Sequence, residues 1–229
     1  MVTYYIALGC IGKPGKKRRV PKIIHQNKKY ELSIPEFIIW SSVCWNIYDY
    51  EELKKVFEFK CEKCGCLPDF NFDYYLQSLE NRGLIKSGKG CTAITALYSL
   101  LLELHIRPIN NSFGRMTLDF LSLILKLNTF EDLRKLSDNT EDDDSILNDK
   151  VTRNIWDIVN KTDLSVAEAI CCFKNNISNI DEDSLIEKVY GEKYDYKTIG
   201  AYAQMQDEKH TVLTAIVNLY FKKMLIFEM

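Results

Sequence analysis

The chain reads as a mostly helical fold with short β-strands, arranged as two helical units joined by apolar helices. Three observations predict this. Apolar residues recur at helical spacing along most of the sequence. Ten glycines and five prolines in 229 residues are too few for a loop-rich β-sandwich. A hydrophobic fraction of 46% beside 27% charged residues fills a core without disulfide staples, and excludes a disordered or collagen-like chain. No apolar run reaches the roughly 20 residues that cross a bilayer, so a soluble protein is expected.

The first segment, residues 1–31, reads as a strand followed by a basic arm. Tyr4, Ile6 and Leu8 alternate with Thr3, Tyr5 and Ala7, the period of a strand. Leu8-Gly9-Cys10 hints at a lipoprotein cleavage site. No basic residue precedes it and the apolar stretch is too short, so a cytoplasmic protein is expected. Gly12-Lys13-Pro14-Gly15 is a turn. From Lys13 to Lys29 there are eight basic residues and no acid, Lys16, Lys17, Arg18 and Arg19 among them. Such a run suits a solvated loop or hairpin, or an arm that holds phosphates.

Residues 32–92 form the clearest unit. Ser33-Ile34-Pro35-Glu36 is a capping box that opens a helix to about Ile47. Asp49 caps a second, short helix through Phe57, and Cys61 to Pro68 reads as a loop. Asn71 opens a third helix with Phe72, Tyr75, Leu76 and Leu79 on its apolar side; Gly83 stops it. Leu84-Ile85-Lys86 is a short strand and Ser87-Gly88-Lys89-Gly90 a tight turn. The phrase Leu79-Glu80-Asn81-Arg82-Gly83-Leu84-Ile85, after three short helices, resembles the end of the recognition helix of winged helix-turn-helix DNA-binding proteins of the bacterial regulator type.

Residues 93–150 link the units. Ile94, Leu97, Tyr98, Leu101, Leu102 and Leu104 make a nearly all-apolar helix that Arg107-Pro108 ends, with His105 as a core residue. A second apolar helix covers Leu118 to Leu127. The acidic stretch from Asp138 to Asp149 lacks the Gly and terminal Glu of a calcium loop and reads as a solvated linker.

Residues 151–229 read as a second, winged-helix-like or dimerisation unit. Leu164-Ser165-Val166-Ala167-Glu168 echoes Leu32-Ser33-Ile34-Pro35-Glu36 at an offset of 132. Asn179-Ile180 echoes Asn46-Ile47, and Leu225-Ile226 echoes Leu84-Ile85. In the last helix Val212, Ala215, Ile216 and Leu219 form one apolar stripe, and Leu213, Val217, Tyr220 and Phe221 another. A helix apolar on two sides reads as a docking or dimer element rather than a groove reader. Residues 1–92 carry 15 basic and 10 acidic side chains; residues 93–229 carry 15 and 22.

The apolar helices at Ile94–Leu104 and Val212–Phe221 predict a homodimer through the C-terminal half. The resemblance implies a transcription regulator that binds duplex DNA through the third helix and a wing at 84–92. On that helix Asn71, Tyr74, Gln77, Ser78 and Asn81 face outward, and Asn and Gln can read adenine edges. Arg82, Lys86 and Lys89 are placed to meet phosphates, with the arm at 13–29 supplying further charge. Asp73 and Glu80 on the same helix speak against DNA, and for a non-catalytic protein–protein adaptor. Cys61-Glu62-Lys63-Cys64-Gly65-Cys66 leaves three readings open: a structural zinc knuckle with Cys91 as a fourth ligand, reduced structural cysteines, or a redox-responsive pair. No nucleotide-binding, metalloprotease or serine-hydrolase signature occurs, so no enzyme activity is expected.

Overall fold

The computed structural model describes residues 1–12, 22–63, 71–109, 149–177, 185–191, 195 and 198–229. Of these, 53% are helical and 21% are in strands, which form three small antiparallel sheets. The fold is thus mixed α/β. No described helix is long and apolar enough to cross a membrane.

The first unit is built on β1 (Val2–Ala7). It pairs with β5 (Tyr48–Asp49) on one side and β6 (Ile85–Gly90) on the other. The helices α1 (Ile34–Val43), α2 (Tyr50–Lys63) and α3 (Phe72–Asn81) lie on one face of this sheet. Successive side chains of a strand point to opposite faces. Accordingly Tyr5 and Ala7 enter a core with Phe37, Trp40, Leu53, Phe57, Leu76 and Leu79, while Ile6 and Leu8 enter the core of the second unit. The N-terminal strand is therefore a seam between two cores.

Between β1 and α1 the chain forms β2 (Cys10–Ile11), β3 (Lys22–His25) and β4 (Lys28–Glu31), a second small sheet. Gln26 and Asn27 have φ of 49° and 59°, the pair of left-handed residues that a tight two-residue hairpin needs. The C-terminal part of the expected basic arm is thus a hairpin. Residues 13–21 lie outside the described residues.

The second unit repeats the first. Its central strand is β7 (His105–Pro108), paired with β8 (Leu164–Ser165) and β9 (Leu225–Glu228). Its helices are α5 (Lys150–Val159), α6 (Val166–Lys174), α7 (Ile199–Gln204) and α8 (Lys209–Phe221), with a π-helical turn at Ile186–Tyr190. In both units a central strand precedes helix, short strand, helices and last strand. The helix joining the units, α4 (Ala93–Leu101), packs on β6 and β1.

Several expectations change. α1 stops at Val43, not Ile47, because Trp45 takes a left-handed φ of 62°. α2 runs on to Lys63 and places Cys61 on its buried side. His105 to Pro108 is strand rather than helix end. Leu104 and Ile106 are fully buried while His105 and Arg107 turn outward, a period of two within a run whose apolar content mimics a helix. Ser87 to Gly90 is also strand. A Cβ on Gly88 would lie 2.5 Å from Leu100 Cβ, and one on Gly90 2.3 Å from the Ala96 amide nitrogen. Those glycines let α4 lie flush on the strand rather than turn the chain. The helix expected over 118–127 and most of the acidic stretch lie outside the described residues; Asp149 caps α5 through the Thr152 amide.

The repeat also shifts register. Asp49 and Glu52 exchange backbone-to-side-chain hydrogen bonds at the start of α2, just as Ser165 and Glu168 do at the start of α6. By position after the short strand, α6 therefore matches α2, not the helix that Ser33 opens. Asn179-Ile180 lies outside the described residues.

The two units share contacts deep in the molecule. The Tyr220 hydroxyl of α8 donates to Val43 O at 2.9 Å and accepts from the Trp45 amide at 2.8 Å. Trp45 Nε1 donates to Leu225 O, and Gly9 N to Phe227 O. The first apolar stripe of α8 is thereby covered within one chain, Val212, Ala215, Ile216 and Leu219 all being buried. Of the second, Leu213 and Tyr220 are buried, Val217 is half-buried and Phe221 is 46% exposed. Most of the apolar surface that suggested a partner copy thus packs within the chain, and Phe221 stays open.

Candidate nucleic-acid interface

α3 begins where Asn71 Oδ1 accepts the Tyr74 amide at 3.2 Å. It buries Phe72, Leu76 and Leu79 and ends at Gly83, whose φ of 66° suits glycine. The opposite face is open. Asn71, Gln77 and Asn81 are exposed, and Tyr74 is 65% exposed. The spacing of the apolar residues already puts these four on the exposed side, because core spacing and outward spacing on a helix fix each other.

Ser78 and Arg82 do other work. Glu36, in the first turn of α1, is 9% exposed. One carboxylate oxygen accepts from the Ser33 amide and hydroxyl, both at 2.8 Å. The other accepts from Ser78 Oγ and Arg82 Nη1, both at 2.9 Å. Burial opposes the charge on Glu36. The Ser33 and Ser78 hydrogen bonds and the Arg82 guanidinium outweigh it and hold the carboxyl below its ordinary range. Arg82 also donates to Glu31 O at 2.8 Å and lies over the Tyr30 ring. One guanidinium thus fastens the end of α3 to the start of α1 and to the hairpin. Sequence reasoning missed Glu36 as a partner because its capping role already explained it.

The hairpin so fastened carries exposed Lys28 and Lys29 next to its turn. Lys22 at its far end pairs with Glu31 at 2.9 Å. Lys16, Lys17, Arg18 and Arg19 lie outside the described residues. On β6 the pleat separates the two lysines. Ser87 bonds Glu80 of α3, so Lys89, two residues on, belongs to the α3 side and is exposed. Lys86 points to the α4 side and pairs with Glu103 at 2.9 Å. Of the three expected phosphate cations after the helix, Lys89 shares the α3 side in the open, Arg82 is committed to Glu36, and Lys86 is on the other face.

The two acids beside this face are tied down. Asp73 accepts from the Tyr50 hydroxyl at 2.6 Å, and that bond is the main cause that pushes Tyr50 up to about 12. Glu80 accepts from Ser87 Oγ at 2.6 Å.

The cysteine motif divides. Cys61 is packed in the core of the first unit, and Cys91 is exposed between β6 and α4. Cys64 and Cys66 lie outside the described residues. Among the described residues no group of three or more His, Cys, Asp or Glu side chains could hold a metal ion. The histidines stand apart. His25 is buried in the hairpin, and its Nδ1 has no partner among the described residues. His105 Nδ1 is 3.5 Å from Asp163, half-exposed on β7 rather than in a core. His210 Nδ1 is 2.9 Å from the Tyr98 hydroxyl.

Comparison with family models, with curated proteins and with solved structures finds no match to this chain.

Proposed function

We propose that the protein is a DNA-binding transcription regulator, non-catalytic and cytoplasmic, which reads duplex DNA with α3. The observation that carries this reading is the Arg82 clamp. It joins the C-terminal end of α3, with its open row of Asn71, Tyr74, Gln77 and Asn81, to the hairpin that carries exposed Lys28 and Lys29 and whose one acid, Glu31, is paired with Lys22. A site held on helices whose ends are locked by hydrogen bonds is the kind that reads base edges with defined geometry. The first unit resembles a winged helix in its three helices, glycine stop and following strand, and the second unit resembles a further copy. In this reading Lys28, Lys29 and Lys89 meet phosphates, with Lys16, Lys17, Arg18 and Arg19 as further contacts, while Arg82 and Ser78 position the helix. β6 carries α4 on one side, so the reading does not rely on a free wing entering a groove.

The test is selection of duplexes from a random-sequence pool by the full chain. Gln77→Ala is expected to cost about 1–3 kcal/mol on the selected site and little on random DNA. Equal losses on both would remove Gln77 from base reading. A protein–protein adaptor is the competing reading, favoured by Asp73 and Glu80 beside the face and by the exposed rings of Tyr74 and Phe59. It predicts that no sequence is enriched.

A further inference from the structure

α8 ends as α3 does. Lys223 stands at φ 61° where Gly83 stands at 66°. The Met224 amide donates to Leu219 O at 3.0 Å, as the Leu84 amide does to Leu79 O at 2.9 Å. This shared stop aligns the two helices at an offset of 140 residues, one less than the Leu-Ile echo in the sequence. At that offset Val212, Ile216 and Leu219 match Phe72, Leu76 and Leu79, and all six are buried. The acidic positions of α3 are apolar in α8: Asp73 becomes Leu213 and Glu80 becomes Tyr220, both turned inward. Of the outward positions three remain polar, while Gln77 and Asn81 become Val217, half-buried, and Phe221, 46% exposed. Asn71, Tyr74 and Ser78 become Thr211, Thr214 and Asn218, each exposed. The buried residues of the two stripes therefore sit side by side and leave Thr211, Thr214 and Asn218 in the open, with Phe221 at the C-terminal end.

We infer that α8 is a second DNA-reading helix, so that one chain grips a bipartite duplex site. This rests on the DNA reading of α3. Charge selects the occupant. No carboxylate occurs between Lys209 and Phe221, and Lys209 and Lys222 bracket the helix. The packed neighbour α5 adds exposed Lys150 and Arg153. The nearby acids are Asp207 and Glu208 before the helix, Asp157 on α5, and Asp149, which is engaged as the cap of α5. The row of Thr211, Thr214 and Asn218, free of carboxylates and flanked by Lys222, Lys150 and Arg153, suits phosphate-flanked base edges, while Lys209 donates to Gln204 O. The Tyr220 and Trp45 bonds fix α8 against the first unit, so the distance between the two half-sites is set by the fold, with no second copy needed.

The test uses the full chain and a duplex that the wild type selects from a random pool. Hydroxyl-radical footprinting is expected to show two protected segments. Asn218→Ala and Thr214→Ala should each weaken binding about 5- to 100-fold and expose one segment only, while Gln77→Ala exposes the other. Both α8 side chains are exposed, and unchanged circular dichroism and urea midpoints verify the fold; Asn218→Ser substitutes if Asn218→Ala fails that control. A single protected segment, or α8 variants within twofold of wild type, overturns the inference and leaves α3 standing. A wild type that binds no duplex overturns the α3 reading as well. Protection of α8 by another protein in place of DNA counts against the inference.

Discussion

Replacing Tyr220 by Phe removes one oxygen from the centre of the molecule. That hydroxyl is the donor to Val43 O and the acceptor for the Trp45 amide, at 2.9 and 2.8 Å. Tyr220 is 1% exposed, so water does not replace either bond, and the same burial pushes its hydroxyl well above the usual range. A buried donor or acceptor left unpaired costs about 1–3 kcal/mol. Two such groups, one on each side of the lost oxygen, give a loss of about 2–4 kcal/mol after some relaxation. The ring still packs against Phe227 at 4.9 Å between centroids, so no cavity term is added. Urea unfolding followed by tryptophan fluorescence reads the effect, because Trp45 is itself the donor. The expected result is one transition in both proteins, with a lower midpoint and unchanged slope in the variant. A change below about 0.5 kcal/mol would refute the reasoning, being the size of an ordinary surface substitution. Two separate transitions in the wild type would refute the shared core.

Two further substitutions follow. Glu36→Ala strips Ser33, Ser78 and Arg82 of their acceptor and is expected to cost about 2–4 kcal/mol, less than a fully buried pair because Arg82 is 30% exposed. A double-mutant cycle with Arg82→Ala should show coupling of about 1–2 kcal/mol, and additivity within about 0.3 kcal/mol would dissolve the clamp. His25 is held below its usual range by burial first and by Arg107 second. Folding then disfavours its protonated form, so its stability contribution is complete above about pH 6.5 and declines as the pH falls below that, by at most about 1.4 kcal/mol per pH unit. His25→Gln should flatten the urea midpoint between pH 6.5 and 5.5; an unaltered profile would assign the acid sensitivity elsewhere.

Much of the first unit was legible because its signals are local. The Ser33–Glu36 capping box, the Asn71 cap, the Phe72–Leu76–Leu79 spacing and the Gly83 stop each involve residues a few positions apart. The open row on α3 followed from the same spacing. What the sequence hid is tertiary. Gly88 and Gly90 look like a turn until α4 is placed against them. β7 looks like the end of a helix because Leu104 and Ile106 lie in an apolar run. The repeat was misaligned because two capping boxes resemble each other more than they resemble the Asp49–Glu52 pair, which does the same job with a different cap. Arg82 was assigned to phosphate because Glu36 is 46 residues away. Tyr220 looked like a docking residue because its partners lie 175 and 177 positions back.

The most direct measurement is equilibrium binding of the wild-type chain to a labelled duplex of random sequence, read by fluorescence anisotropy between 50 and 200 mM salt. The account predicts saturable binding, with a dissociation constant of roughly 10⁻⁴–10⁻⁶ M at physiological salt and a log–log salt slope of about −0.9 per phosphate contact. Lys28→Ala with Lys29→Ala should flatten that slope. Absence of saturable binding at 50 mM salt, where the attraction is strongest, would contradict it and leave the adaptor reading in its place.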